Sequence, residues 1–247
     1  MYICKCSSLV LIFPLLMLSP VMGAAKTSVI VSDTLAHPEW LPVGIGLGLI
    51  GAGCALNHSA FEQRIQQNLH ARTGPDFQVQ WDDYLQWSPV LEMYIGDLSR
   101  LPGKDHWFDQ TKYLVMADLL STAITYGLKK ATHKIRPNGG LESWPSGHTT
   151  FAFTNATVLF EEYRAGSPWL AGSGYLLASG TGFLRMLNNK HWFSDVLAGA
   201  GIGMLSATCI YRVKPLKRFN PFIKSKQMSI LPWLGYHSIS GYFVCRF

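Results

Sequence analysis

Three short runs between residues 129 and 195 decide how this chain folds: KKATHKIRP at 129–137, PSGH at 145–148 and RMLNNKHWFSD at 185–195. They supply cations at Lys129, Arg136 and Arg185, a hydroxyl at Ser146, imidazoles at His148 and His191, and a carboxylate at Asp195. A phosphate ester resists attack because its oxygens are negative. A protein that cleaves one must neutralise those oxygens, align a nucleophile and protonate the departing alkoxide. The three cations suit the first task, and the planar arginine fork matches two phosphate oxygens at once.

In PSGH the proline and glycine favour a tight turn. Ser146 suits a helix N-cap ahead of the run 149–160. Backbone N–H groups at such a helix start point at anions. Asp195 follows His191 by four residues, so on a continuous helix the two share a face and the carboxylate orients the ring. His191 then reads as the nucleophile and His148 as the general acid, two imidazoles dividing the work. Taken singly, each run is ordinary: Lys129 and Lys130 would suit a helix C-terminus, and PSGH any N-cap. Their order and spacing carry the reading. His133 has no part in it and reads as a loop or packing histidine.

The order K-x6-R-P, P-S-G-H, R-x5-H-x3-D resembles the type 2 phosphatidic acid phosphatase (PAP2) superfamily, which also contains bacterial acid phosphatases and vanadium haloperoxidases. Lys129, Arg136 and Pro137, then Pro145, Ser146, Gly147 and His148, then Arg185, His191 and Asp195 occupy the motif positions. The resemblance implies a phosphohistidine at His191 supported by Asp195, protonation of the leaving oxygen by His148, and phosphate binding by Lys129, Arg136, Ser146, Gly147 and Arg185 with no metal or other cofactor. Two departures stand out. Leu184 precedes Arg185 where the family usually has serine, and the gap between Pro137 and Pro145 is short.

Outward from the motifs, apolar segments at 82–100, 113–127, 149–160, 169–187 and 195–211 read as helices, with every motif at a helix end. The fold class expected is all-α, an antiparallel bundle of the PAP2, acid phosphatase and haloperoxidase type, embedded in a membrane. Asp118 falls about three turns before Lys129 and reads as a buried hydrogen-bonding residue. The pattern DYLQWSP at 83–89 also resembles bacterial members of the family. At 48% hydrophobic and 15% charged, the chain is more apolar than most soluble proteins. The net charge of +6 has no basic element interleaved with aromatics, so nucleic acid is not a partner, and anionic lipid is the better use of the charge. No obligate protein partner is evident. Cys54, Cys209 and Cys245 show no metal-ligand spacing.

Residues 1–25 read as a signal peptide, with Lys5, an apolar run at 9–18 and small residues at 23–25. Residues 26–81 form a Gly-rich and amphipathic N-terminal region, 82–212 the phosphatase core, and 213–247 a basic tail with a short hairpin. The segment 41–56 carries five glycines and is short for a crossing, so it is expected to pack or re-enter without spanning. Lys214, Lys217, Arg218, Lys224 and Lys226 follow the last helix. The positive-inside rule places them in the cytoplasm and the motif rim toward the periplasm of a bacterial inner membrane. The function expected is hydrolysis of a lipid-linked phosphate or pyrophosphate, with Trp87, Trp144 and Trp192 offering apolar surface to its tail. A soluble periplasmic non-specific acid phosphatase stays open as an alternative, and a vanadium-dependent haloperoxidase as a distant one.

Overall fold

The computed structural model describes residues 40–74 and 77–213, and the backbone of 228–235 and 238–245. The signal peptide expected at 1–25 and the lysines at 214–226 lie outside the described residues. Eight helices follow in order: α1 (Leu41–Leu56), α2 (Ala60–Thr73), α3 (Trp81–Leu85), α4 (Ser88–Leu98), α5 (Trp107–Thr132), α6 (Gly147–Tyr163), α7 (Pro168–Leu187) and α8 (Phe193–Arg212). Two strands, β1 (Met228–Gly235) and β2 (Ser238–Cys245), pair antiparallel as a hairpin, with Met228 opposite Cys245.

The bundle is all-α, and its long helices alternate in direction. α6 and α8 form the centre, and small residues set their separation. A Cβ on Gly203 would lie 2.5 Å from the Thr150 carbonyl oxygen, and one on Gly199 would lie 2.7 Å from that of Ser146, so no side chain fits at either position. The apolar core fills the half away from the motifs, where Met93, Tyr113, Val158, Leu159, Tyr163, Ala207 and Tyr211 interlock. Toward the motifs the interior turns to threonine and serine. Thr149, Thr150, Thr154 and Thr157 are buried along α6, and Thr150, Thr154 and Thr157 return their hydroxyls to carbonyls four residues back.

One expectation changes. The segment 82–100 is not one helix. The chain turns at Gln86 and Trp87 and restarts at Ser88, because Pro89 in the first turn cannot donate to a preceding carbonyl. α1 packs against the bundle, as expected. It runs antiparallel to α8 over nearly its whole length, with Gly46 against Leu205 and Gly201, Gly53 against Ser194 and Ala198, and Trp40 stacked under Arg212 at 4.2 Å. Packing, the expectation for 41–56, is what these contacts show. Its glycines let the two backbones approach this closely. α2 then departs from α1 at 89° and lies across the end of the bundle.

Candidate active site

All three motifs converge on one end of the bundle. α5 ends there with Lys129, and His133 stops the helix in the left-handed conformation, its N–H donating to the Lys129 carbonyl. His133 is exposed and has a loop role, as its sequence context indicated. The following loop is closed by backbone bonds from Arg136 N to Gly140 O and from Ser143 N to Lys134 O. Ser146 N–H donates to the Asp195 carbonyl at 3.0 Å, which joins the PSGH turn to the third motif. Arg185 arrives on the last turn of α7, and His191 sits in the short turn between α7 and α8.

The cations are crowded. Burial pushes Lys129 down to about 8, and the charge of Arg136 adds to the effect. Burial first and then Arg185 lower Arg136 in the same way. Lys129 Nζ meets only carbonyl oxygens, Glu142 O at 2.6 Å and Ser143 O at 3.4 Å. Arg185 alone has a direct carboxylate partner, with NH1 2.6 Å from Asp82 Oδ2. Burial works against the charge of Asp82, yet the bond and charge of Arg185 outweigh it and hold the carboxyl low. The Nε–H groups of Arg136 and Arg185 are buried without a protein acceptor. Buried donors are rarely left unpaired. A site that gathers three mutually repelling cations and leaves two guanidinium donors unmatched is built for an anion with several oxygens.

His191 is 1% exposed, and burial pushes it down to about 4 against the opposing pull of Asp195. It is therefore neutral, and able to attack, at any pH above that value. Asp195 Oδ2 lies 3.4 Å from His191 Nδ1, which leaves Nε2 for substrate. The pair does not share a helix face as the spacing suggested. His191 precedes α8, whose N-cap is Trp192, and Asp195 meets it by folding back as the third helical residue to accept the Trp192 N–H at 2.9 Å. Ser143 also donates its hydroxyl to Asp195 Oδ2.

Ser146 occupies the N-cap position of α6, but its side chain caps no backbone N–H. Its Oγ accepts from the Thr149 hydroxyl at 2.9 Å, and the first N–H groups of the helix face the rim without it. His148 follows, with Nε2 2.7 Å from Asp83 Oδ1. Burial lowers His148, Arg185 lowers it further, and Asp83 works in the opposite direction.

Every residue named from the motifs is on this rim. Asp82, Asp83, Ser143, Lys134 and Glu62 were not named, although they contact motif residues. Asp83 had a signal as the first residue of the DYLQWSP pattern and Asp82 directly precedes it; α3 carries them to His148 and Arg185. Glu62 had only the S-x-x-E spacing from Ser59, which reads as an ordinary capping box; Ser59 Oγ does accept from Glu62 N. Trp144 is corrected: at 9% exposure it is buried beneath the loop and offers no surface to a lipid tail. Trp87 is exposed and packs its edge on Phe151, while Trp192 is half-buried and donates to the Ile135 carbonyl. Asp118 lies half-buried in the middle of α5, away from the rim.

Residues 119–219 match the family described as the PAP2 superfamily. Over 108 residues, 42% of this chain, the sequence is 41% identical to a lipid A 1-phosphatase of Porphyromonas gingivalis; the match spans 24% of that protein's length. The crystal structure of a transmembrane PAP2-type phosphatidylglycerolphosphate phosphatase from Bacillus subtilis superposes with a TM-score of 0.52 at 16% identity, covering 74% of this chain and 99% of that one, a likeness of fold. That of Aquifex aeolicus LpxE covers 62% of this chain and 96% of its own at 20% identity, with a TM-score of 0.46.

Proposed function

We propose, from the match of residues 119–219 to the PAP2 superfamily, that the chain is a membrane phosphatase of that type that removes a phosphate from a lipid. The observation that carries the reading is the set of three cations, Lys129, Arg136 and Arg185, crowded around a buried neutral His191. In the proposed reaction His191 Nε2 forms a bond to phosphorus while the bond to the lipid oxygen breaks. His148 gives its proton to that oxygen, and the Asp195 carboxylate balances the positive charge that develops on the His191 ring. Water then releases phosphate from His191, with His148 accepting its proton. The cations do the neutralising, so the reaction is proposed to need no metal.

Two further observations support a lipid substrate. The outer wall of the bundle is apolar: Leu91, Ile95, Leu119, Leu176 and Phe183 are all at least half exposed, on three different helices. A soluble monomer rarely shows so much contiguous apolar surface. α8 has the length and hydropathy of a span, and its 20 residues make about 30 Å, the thickness of a bilayer core. Exposed tryptophans stand at both ends, Trp81 and Trp87 beside the rim and Trp107 and Trp169 opposite. The lysines at 214–226 follow the end opposite the rim, which orients the rim toward the periplasm by the positive-inside rule. Among lipid phosphates, the 1-phosphate of lipid A is the first candidate, on the strength of the Porphyromonas relative.

The test is His191→Ala assayed for phosphate release from lipid A and phosphatidic acid in mixed micelles. A loss of about 10⁴-fold or more in kcat with an unchanged circular dichroism spectrum is expected. More than a hundredth of the activity remaining would overturn the assignment. Incubation with EDTA should leave the wild-type rate unchanged; a loss restored by a divalent ion would contradict the metal-free reaction.

A further inference from the structure

The carboxylate that faces His191 is held from behind by a second charged layer. Lys134 is 5% exposed, and its three donors are all used: Asp195 Oδ1 at 3.0 Å, Ser194 Oγ at 2.9 Å and Glu62 Oε1 at 3.2 Å. The Ser194 hydroxyl in turn donates to Glu62 Oε2. Glu62 is 1% exposed and receives the His58 backbone N–H at 2.6 Å on Oε1. It belongs to α2, upstream of the 119–219 region, and Gln66 on the same helix donates to Met186 O and Asn189 Oδ1 beside the His191 turn.

A buried ion cluster of this kind needs a reason other than stability, since apolar side chains of similar volume often serve as well or better. Charge accounting supplies one. A lysine 3.0 Å from Asp195 would by itself cancel the charge that His191 needs opposite it when its ring becomes cationic on forming the N–P bond. With Glu62 present, two carboxylates and one ammonium sum to one negative charge, and that charge is available to the ring.

We propose that Glu62 is a positioning residue for the reaction: it holds and neutralises Lys134, so that Asp195 is fixed in place without being charge-cancelled. This rests on the phosphohistidine reading above. α2 is thereby part of the catalytic apparatus, although it lies outside the matched family region.

The experiment uses the full-length protein in detergent micelles with phosphatidic acid, and His191→Ala is run alongside. Glu62→Gln should lower kcat by about tenfold or more while KM changes little, because the substrate-binding cations are untouched. The double variant Glu62→Gln/Lys134→Met, which restores the charge sum, should recover kcat to within about tenfold of wild type. A purely structural role, the loss of one buried partner, would not be rescued by removing a second partner at Lys134. Should Glu62→Gln fail to fold, the double variant carries the test, and a loss above tenfold from it overturns the proposal. Wild-type-like kcat in Glu62→Gln also overturns it. Retained activity in His191→Ala would instead overturn the phosphohistidine reading, so the two failures are distinguishable.

Discussion

The two ends of the bundle are both polar and charged, and they are wired in opposite ways. At the rim, the orphaned groups on the motif side chains are nitrogens, Nδ1 of His191 and the Nε–H of Arg136 and of Arg185, and the charges of Arg136 and Arg185 help burial to depress Lys129. At the far end, carboxylates are tied into the fold. Glu162 accepts from the Tyr211 hydroxyl and from Asp105 N, and its own carbonyl takes the N–H of Lys104. Tyr163 donates to Asp97 Oδ1 at 2.7 Å and to Met93 O at 3.1 Å. The orphaned atoms there are acceptors, on Asp97, Asp105 and Gln110. An acceptor oxygen left over on a carboxylate that already has one bond costs less than a buried cationic donor with none. One end is a lock that holds helices together. The other is strained by its own charge until an anion arrives.

That contrast predicts opposite responses to substitution. Arg136→Met should lower kcat/KM by about 10²- to 10³-fold, the usual cost of losing one donor to a transition-state phosphate. The same change should leave the thermal unfolding midpoint unchanged or higher, because one of three repelling cations is gone. A fall in the midpoint would contradict the description of the rim as electrostatically strained. At the far end, Tyr211→Phe should do the reverse. Removing the hydroxyl leaves a buried Glu162 oxygen without its donor, so stability should fall by about 1–3 kcal/mol, measured by thermal unfolding in detergent, with kcat/KM unaffected.

A smaller effect sharpens the picture of the rim through pH. In the free protein, kcat/KM should rise through pH about 4 as His191 loses its proton, since burial has lowered it that far. It should fall again where His148 loses the proton it must donate, below the ordinary imidazole value, because burial and Arg185 lower His148. Asp83 opposes that lowering, so Asp83→Asn should move the alkaline limb to lower pH and leave the acid limb in place. A limb that stayed put in this variant would show that His148 is not the group titrating there.

Much of the rim was legible because the chemistry is local in sequence. Lys129, Arg136, Ser146, His148, Arg185, His191 and Asp195 lie in three runs, each at a helix end, and helix ends can be read from apolar periodicity and turn residues. Where the spacing misled was in how the residues meet. The interval from His191 to Asp195 looked like one helical turn, but the Asp195 carboxylate, accepting the Trp192 N–H at the start of α8, performs the same juxtaposition across a turn. Glu62 and Lys134 were illegible for a different reason. Each has a sufficient local explanation, a cap for one and a solvated loop lysine for the other, and their contact joins positions 72 residues apart.

The amino-acid sequence by itself determined the helices, the chemistry of the rim and the small residues that α1, α6 and α8 present to one another, because these depend on interactions within a few residues or on the volume of a single side chain. Only the tertiary structure decided that α1 runs the length of α8, that Trp144 is buried, that Asp82 and Asp83 reach Arg185 and His148, and that Glu62 stands behind Asp195. Each of these is set by which surfaces meet in the bundle, and packing free energy is shared among many distant pairs that no short stretch of sequence records.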